Sequence, residues 1–514
     1  MRSLVVISAD VAWVLLVVAL FRAIGPRRAA LIAVFGGLLV LPREADRLLL
    51  FDTLTINKRV VSGFALLLGV VCFDPRALIR GRPRLADLPM VAFVLLPLAS
   101  LASNGFLKHW ISIDQVWKNL FEWAMPYLAG RLYFGEREAP RNLSVAIVVS
   151  GLLYVPVCLF EMVLGPRYYL LGLVYGISPH GHMVSRLGGW RPEGFLTNGI
   201  ELATWMALAS TTAAWLWLYR GWSPWKAPAW FPSLALTLVT TACRGVFGYA
   251  TLGIGLVTAL LSRWLQTRFL IASLALLAPV YVGVRVSGTW DGHQLRDLAE
   301  QAGKGGTVAY RLRAEGAYIQ KVTEHGLTLG FGGVNSDIFD FFAQGHLWPD
   351  GWWVHQLRSG GLVGLTAFLL AMFLVPAGLG LALPAGRSGR GSPGALAWGL
   401  SLFLVLHLLD SLHNMAYLTP TPLLGGSLVA LFVSRRALQL DVPESLRATA
   451  RASSNPPTGS RTPVLVTAVV LAVVEVLGHL PRSPALGPEP SGNLPRVGTP
   501  HVDAEKPGAP PGSR

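Results

Sequence analysis

At 514 residues, 53% of them hydrophobic and only 14% charged, the chain does not have the composition of a soluble domain, in which about a quarter of residues are charged. A formal charge of +15 would suggest nucleic acid in a soluble protein, but most arginines here sit in short loops between apolar segments, so the excess is an orientation signal and argues against a nucleic-acid partner. Cys72, Cys158 and Cys243 lie in or against apolar segments with no close pair and no metal-ligand spacing, and are assigned no chemistry.

The first segment, Ser3 to Phe21, contains Asp10 and has no small-residue cleavage site, so it is expected to be a retained helix rather than a signal peptide. Candidate spans follow at 29–42, 59–74, 88–104, 119–134, 143–164, 199–219, 229–243, 245–262, 269–287, 360–380, 394–411, 420–434 and 463–480. They predict an all-α, polytopic transmembrane bundle of about 12 to 14 helices with a long, partly helical outer loop. The odd connections carry Arg22, Arg27 and Arg28, then Arg76, Arg80, Arg82 and Arg84, then Arg131, Arg137 and Arg141, then Arg220 and Lys226, and later Arg263, Arg268, Arg387, Arg390, Arg435 and Arg436. Short basic loops stay cytoplasmic during insertion, so the even connections face outward. The second connection is an exception, with Arg43, Arg47, Lys58 and Arg59.

Residues 1–434 therefore form the expected membrane core, with two long outer connections, 165–198 and 288–359, rich in glycine and isolated aromatics. A polar stretch over 435–462 is expected to be a cytoplasmic linker, 463–480 an additional span, and the Pro/Gly-rich 481–514 a disordered tail.

Charges at membrane depth or at helix mouths are costly, so those retained there are the first candidates for function. They gather on the outer side, in 186–201 (RLGGWRPEGFLTNGIE), 241–248 (TACRGVFG), 310–315 (YRLRAE) and 350–358 (DGWWVHQLR). Arg191 precedes a helix expected to start at Thr197 or Asn198, and Arg244 precedes one starting near Gly245. Two guanidinium groups beside two outward helix N-termini suit a phosphate, which they bind bidentately without losing their charge. The competing reading for each is an arginine that snorkels to the headgroups. Arg311 and Arg313 lie on a segment of mixed polarity at helical spacing, which by itself is a solvated helix face.

His355, beside Trp352 and Trp353, is a candidate general base, with an interfacial histidine as the alternative. Glu161, Glu201 and Asp410 are boundary acids able to partner an arginine. The close pair His180 and His182 lacks further ligands at metal spacing, and no metal or other cofactor is expected. There is no P-loop, H-E-x-x-H or G-x-S-x-G, which argues against nucleotide hydrolysis and against serine or zinc hydrolase chemistry.

The order of these elements resembles the bacterial O-antigen ligase and O-antigen polymerase superfamily, polytopic glycosyltransferases of the GT-C type. The resemblance covers roughly residues 120–435 and rests on RPEGF (191–195), CRG (243–245), YRLRAEGAYIQKVTEHGLTLGFG (310–332) and VHQLRSGGLVG (354–364), with echoes at 126–134 and 159–169. Cys243 stands where that family has Ser, Glu315 where it often has Trp, and His355-Gln356 where it has His-Asn. A His-Asn pair occurs later, at His413-Asn414.

The resemblance implies a donor glycan on polyprenyl pyrophosphate at the periplasmic side of the inner membrane. The acceptor would be a sugar hydroxyl on another lipid-linked glycan or on lipid A core, with polysaccharide-assembly proteins as possible partners. Arg191, Arg244 and Arg311 would stabilise the leaving pyrophosphate, and His355, with His413 as alternative, would take the acceptor proton. Arg313, Glu161, Glu201, Trp190, Trp348, Trp352, Trp353 and His413 would line the substrate. A transporter or flippase of lipid-linked glycan, or a structural subunit of an envelope assembly, are the competing classes. A transporter should also carry polar residues at mid-membrane, and these are sparse.

Overall fold

The computed structural model describes residues 4–42, 46–48, 54–104, 111–177, 185–186, 188–221, 228–301, 305–332, 349–384, 391–416 and 418–440. Among them the fold is an all-α bundle, with strands confined to two short antiparallel pairs, Asp46–Leu48 with Leu54–Ile56 and Ser185–Arg186 with Gly189–Trp190. Every candidate span falls on a helix except 463–480, which lies outside the described residues with His180, His182 and Trp348.

Among the described residues, seven helices are long and apolar enough to cross a membrane: Leu4–Ile24, Leu85–Ser103, Ala139–Leu164, Val246–Leu265, Phe269–Val286, Trp352–Ala382 and Pro393–Ser411. The chain is a multi-pass membrane protein. Pro393–Ser411 runs through its interior, 94% buried, whereas Leu4–Ile24 is 28% buried and presents Leu4, Val5, Val11 and Leu15 outward.

Gly199–Leu218 is equally interior, and its Ala, Ser and Thr residues explain why it reads as less apolar than its neighbours. A helix that faces protein needs small side chains for close approach more than it needs lipid-compatible ones. A Cβ on Gly245 or Gly248 would come within 2.8 Å of the Ala203 Cβ, and one on Gly255 within 2.4 Å of the Thr211 hydroxyl oxygen. This contact draws the start of Val246–Leu265 against the first turns of Gly199–Leu218.

The helix expected from Gly360 begins earlier, at Trp352, and is broken at Gly361, whose φ of 61° favours glycine. The break frees backbone groups that segment 327–332 takes up. Leu362 N–H donates to Leu327 O and Val363 N–H to Thr328 O, while Phe331 and Gly332 N–H donate to Arg358 and Ser359 O. His355 thus sits on a short helical stretch beyond the break rather than in a preceding loop.

Lys58 and Arg59, the exceptions in the charge pattern, are structural. Lys58 is 2% exposed and its Nζ donates to Leu38 O and Phe195 O at 2.9 and 2.8 Å. Arg59 lies 3.4 Å from Glu122, which also accepts from Asn57.

At the end of the bundle opposite Arg191 and Arg244 opens a cavity of about 1140 Å³, lined in part by Arg27, Arg82, Arg84, Arg131 and Arg137. These belong to the loops that the charge pattern assigns to one face.

Candidate functional site

The 191–195 turn is built from behind by three buried groups on other elements. Glu161, 0% exposed, accepts from Glu193 N–H at 2.8 Å and Gly194 N–H at 2.7 Å with one carboxylate oxygen, and from Leu170 N–H with the other. Tyr154 Oη accepts from Phe195 N–H at 2.6 Å, and Lys58 holds Phe195 O. Asn198 caps the next helix, accepting from Ile200 and Glu201 N–H at 2.9 Å, and Glu201 reaches back to Thr197 N–H at 2.8 Å. Glu161 and Glu201, expected to meet substrate, are both fully buried and hold backbone instead.

Arg191, 7% exposed, is directed by this turn over the start of Gly199–Leu218. A Cβ on Gly199 would lie 2.6 Å from Arg191 Nε, and one on Gly245 would lie 3.9 Å from Nη2. Its guanidinium therefore lies between two helix N-termini, the first capped by Asn198 and the second, at Gly245, without a side-chain cap, where the helix dipole favours an anion. Arg244, with a left-handed φ of 56°, folds back onto Gly189, where a Cβ would sit 2.0 Å from Nη1. Tyr249 lies within electrostatic reach of both arginines. Trp190, 37% exposed, packs on Gly165 beside them.

Arg311 joins the same helix start from the other side. Its guanidinium carbon lies 4.7 Å from the centroid of the Phe247 ring, in the first turn of Val246–Leu265. It is 8% exposed, and its Nε is 2.8 Å from Asp350 Oδ2 without the alignment of a hydrogen bond. Its Nη1 is buried with no hydrogen-bond acceptor among the described residues. Arg313, two residues on and so on the opposite side of its helix, is exposed and does not join this cluster.

Of the two imidazoles, His413 is within electrostatic reach of Arg311, and His355 of Asp350, which pairs with Arg311. His355 Nε2 is 3.0 Å from Pro349 O, which calls for a proton on Nε2 and leaves the lone pair on Nδ1. The neighbouring Asp350 pairs with Arg311 and acts electrostatically on His355. The His413 ring lies 6.0 Å from Phe247 and 5.4 Å from Tyr281, its Nδ1 3.9 Å from Glu315 Oε1, its side chain 24% exposed. Burial, with Arg311 and Arg285 nearby, pushes His413 down to about 4, so the ring is neutral at physiological pH. Burial pushes Glu315 up to about 7, against the Tyr281 hydroxyl that donates to it at 2.8 Å and Arg285 at 3.5 Å.

Trp352 and Trp353 are not interfacial. They are 7% and 0% exposed; Trp352 packs on Trp123 and Phe368, and Trp353 Nε1–H donates to Leu412 O, bracing the segment that carries His413. Asp410 accepts from Thr204 and Asn414.

Lys58, Tyr154, Tyr281, Arg285 and Asp350 were not singled out in the sequence for this region. Only a retained charge in an apolar setting, as at Lys58 and Arg285, offered a signal. Cys158 and Cys243, which sequence spacing kept apart, are both 0% exposed and belong to the same buried core cluster.

No protein-family model matches the chain, and no curated protein matches it.

Proposed function

We propose that the chain is a glycosyltransferase that moves or polymerises a glycan from a polyprenyl-pyrophosphate donor onto a sugar hydroxyl. It would work without a metal, at the periplasmic face of a bacterial inner membrane. The observation that carries this reading is the placement of Arg191 and Arg311 at the start of one helix, Val246–Leu265, with Arg244 two residues before it. As the glycosidic bond breaks, negative charge grows on the departing pyrophosphate. Three fixed guanidinium groups and two helix N-termini meet that charge with no reorganisation at the moment of reaction. A buried Arg311 Nη1 with no acceptor among the described residues fits a ligand oxygen.

The acceptor hydroxyl must lose a proton as it attacks. His355 supplies the lone pair through Nδ1 in this reading, because its Nε2 is committed to Pro349 O. His413, the imidazole within electrostatic reach of Arg311, is neutral, so it is compared directly. Trp190 provides an exposed ring beside Arg191 for a sugar face. The acceptor, whether another lipid-linked glycan or lipid A core, sets the difference between a polymerase and a ligase.

The test is complementation of glycan assembly by Arg191→Ala, Arg244→Ala, Arg311→Ala, His355→Ala and His413→Ala, with membrane insertion monitored in parallel. Loss of one charged hydrogen bond from a transition state costs about 3–4 kcal/mol, or roughly 100- to 1000-fold in rate. The arginine variants and one of the two histidine variants are expected to insert and to fall by that order. Unchanged glycan profiles in all three arginine variants would overturn the assignment.

A further inference from the structure

The cavity of about 1140 Å³ at the far end of the bundle has no part in the proposed reaction. Its lining carries five arginines, Arg27, Arg82, Arg84, Arg131 and Arg137, against two acids, Asp74 and Glu136. Two of the positive charges are already answered. Asp87 accepts from Arg131 Nε and Nη2 at 2.8 and 2.9 Å, and Arg27 Nη1 lies 2.5 Å from Glu136 Oε2. Arg82, Arg84 and Arg137 make no ion pair among the described residues. The loop that carries the first two is fixed. Asp87 also accepts from the Tyr127 hydroxyl at 2.6 Å and from Arg84 N–H at 2.8 Å, and a Cβ on Gly81 would sit 2.4 Å from Leu132 Cδ2. Arg82 and Arg84 therefore stand on a wall pinned to the Met125–Tyr133 helix, not on a freely solvated loop.

The same lining includes Leu132, Leu383, Leu431 and Val433. A cavity that is basic and apolar at once fits an amphiphile better than an inorganic anion. Outside the cavity, the same segment presents Leu78, Ile79 and Leu85, which are 37%, 73% and 85% exposed, among Arg76, Arg82 and Arg84. In a multi-pass membrane protein, large apolar side chains interleaved with arginines on an outer surface belong at the depth of the lipid headgroups. We propose that this cavity binds an anionic phospholipid, with Arg82, Arg84 and Arg137 on the headgroup phosphate and the apolar lining against its glycerol and acyl carbons. A guanidinium meets phosphate oxygens with two parallel hydrogen bonds, and basic pockets between membrane helices select anionic headgroups by this charge. Orientation decides only which leaflet supplies the lipid, so the proposal stands apart from the glycosyltransferase reading.

The test is native mass spectrometry of the full chain in detergent, titrated with dioleoyl phosphatidylglycerol or with dioleoyl phosphatidylcholine. The wild type should hold one phosphatidylglycerol at least an order of magnitude more tightly than phosphatidylcholine. An arginine beside an anionic headgroup is worth about fivefold in affinity, so the triple variant Arg82→Gln/Arg84→Gln/Arg137→Gln should weaken phosphatidylglycerol on the order of 100-fold. A control triple, Arg22→Gln/Arg28→Gln/Arg76→Gln, removes the same charge from loops of the same face but outside the cavity, and should keep the wild-type affinity. All six positions are exposed, so neither triple removes a buried contact. Equal loss in the two triples would reduce the effect to overall charge, and equal wild-type affinity for the two lipids would mean no headgroup selection; either result overturns the site. Inorganic phosphate in millimolar excess should leave the lipid bound. Its displacement would assign the cavity to a soluble phosphate and overturn the lipid.

Discussion

Replacing Glu161 should disable the anion site from behind, without touching a ligand. Its carboxylate takes two N–H groups of the 191–195 turn, Glu193 and Gly194, at 2.8 and 2.7 Å, inside a region where no water competes. In Glu161→Ala both donors lose their acceptor. A buried N–H without a partner costs about 1–3 kcal/mol, so the pair costs roughly 2–6 kcal/mol if the turn stays where it is. The turn has a cheaper way out, which is to move, and Arg191 moves with it, because Arg191 is set over Gly199 and Gly245 by this geometry. Glu161→Gln keeps one oxygen as acceptor but turns an NH₂ toward the remaining donors, so it should fall between wild type and alanine. The assay is thermal unfolding of the detergent-solubilised protein with and without inorganic pyrophosphate. The alanine variant should melt lower and lose most of the pyrophosphate-dependent rise, with glutamine intermediate. A Glu161→Ala protein with the wild-type melting temperature and the wild-type pyrophosphate response would refute the claim that this carboxylate holds the site.

The pH dependence of stability should show two opposed contributions near His413. Glu315 titrates at about 7 in the folded protein, above its ordinary 4.5, so its protonation stabilises the fold below about 4.5, and that stability is lost as pH rises through 7. His413 titrates at about 4, below its ordinary 6.5, so its contribution is present above 6.5 and lost as pH falls through 4. Between about 4.5 and 6.5 the two slopes oppose, and the wild type should change little. Glu315→Gln should expose a loss of stability on acidification across that window, and His413→Asn a gain; denaturation midpoints at pH 4.5, 5.5 and 6.5 check both, and parallel curves for all three proteins would contradict the assignment. Gly189→Ala adds a Cβ where the Arg244 guanidinium rests, 2.0 Å from Nη1, and the side chain, not the backbone, is what yields. Melting temperature should hold while pyrophosphate affinity drops by several-fold, and an unchanged affinity would mean that Arg244 does not need that seat.

Much of the architecture was legible before any coordinates. Apolar segments long enough to cross a bilayer announce themselves, because every backbone polar group in hydrocarbon must be satisfied within its own helix. A helix start at Thr197 or Asn198 was likewise visible, since a short polar side chain before an apolar run has few other uses, and the structure puts the cap at Asn198. Side-chain environment was not. Trp352 and Trp353 carry the composition of an interface yet are buried, because the helix they start is broken at Gly361 and the segment ahead of the break is packed under the 327–332 strap. Glu161 and Glu201 looked available at helix mouths and are instead consumed by backbone N–H groups. Lys58 resembled a misplaced loop charge and holds the turn that aims Arg191.

By itself the sequence determined the helical membrane class, the charge asymmetry of the connections and the short list of arginines and histidines. All of these depend on local periodicity and on the cost of charge in hydrocarbon, which act along the chain. Only the tertiary structure decided that Arg191 and Arg311 lie at the start of the helix that Arg244 precedes while Arg313 faces away, and that Glu315 lies against His413. Those meetings join residues far apart in the chain. They follow from small residues, Ala203 against Gly245 and Gly248, that let two helices approach closely enough to bring their ends together.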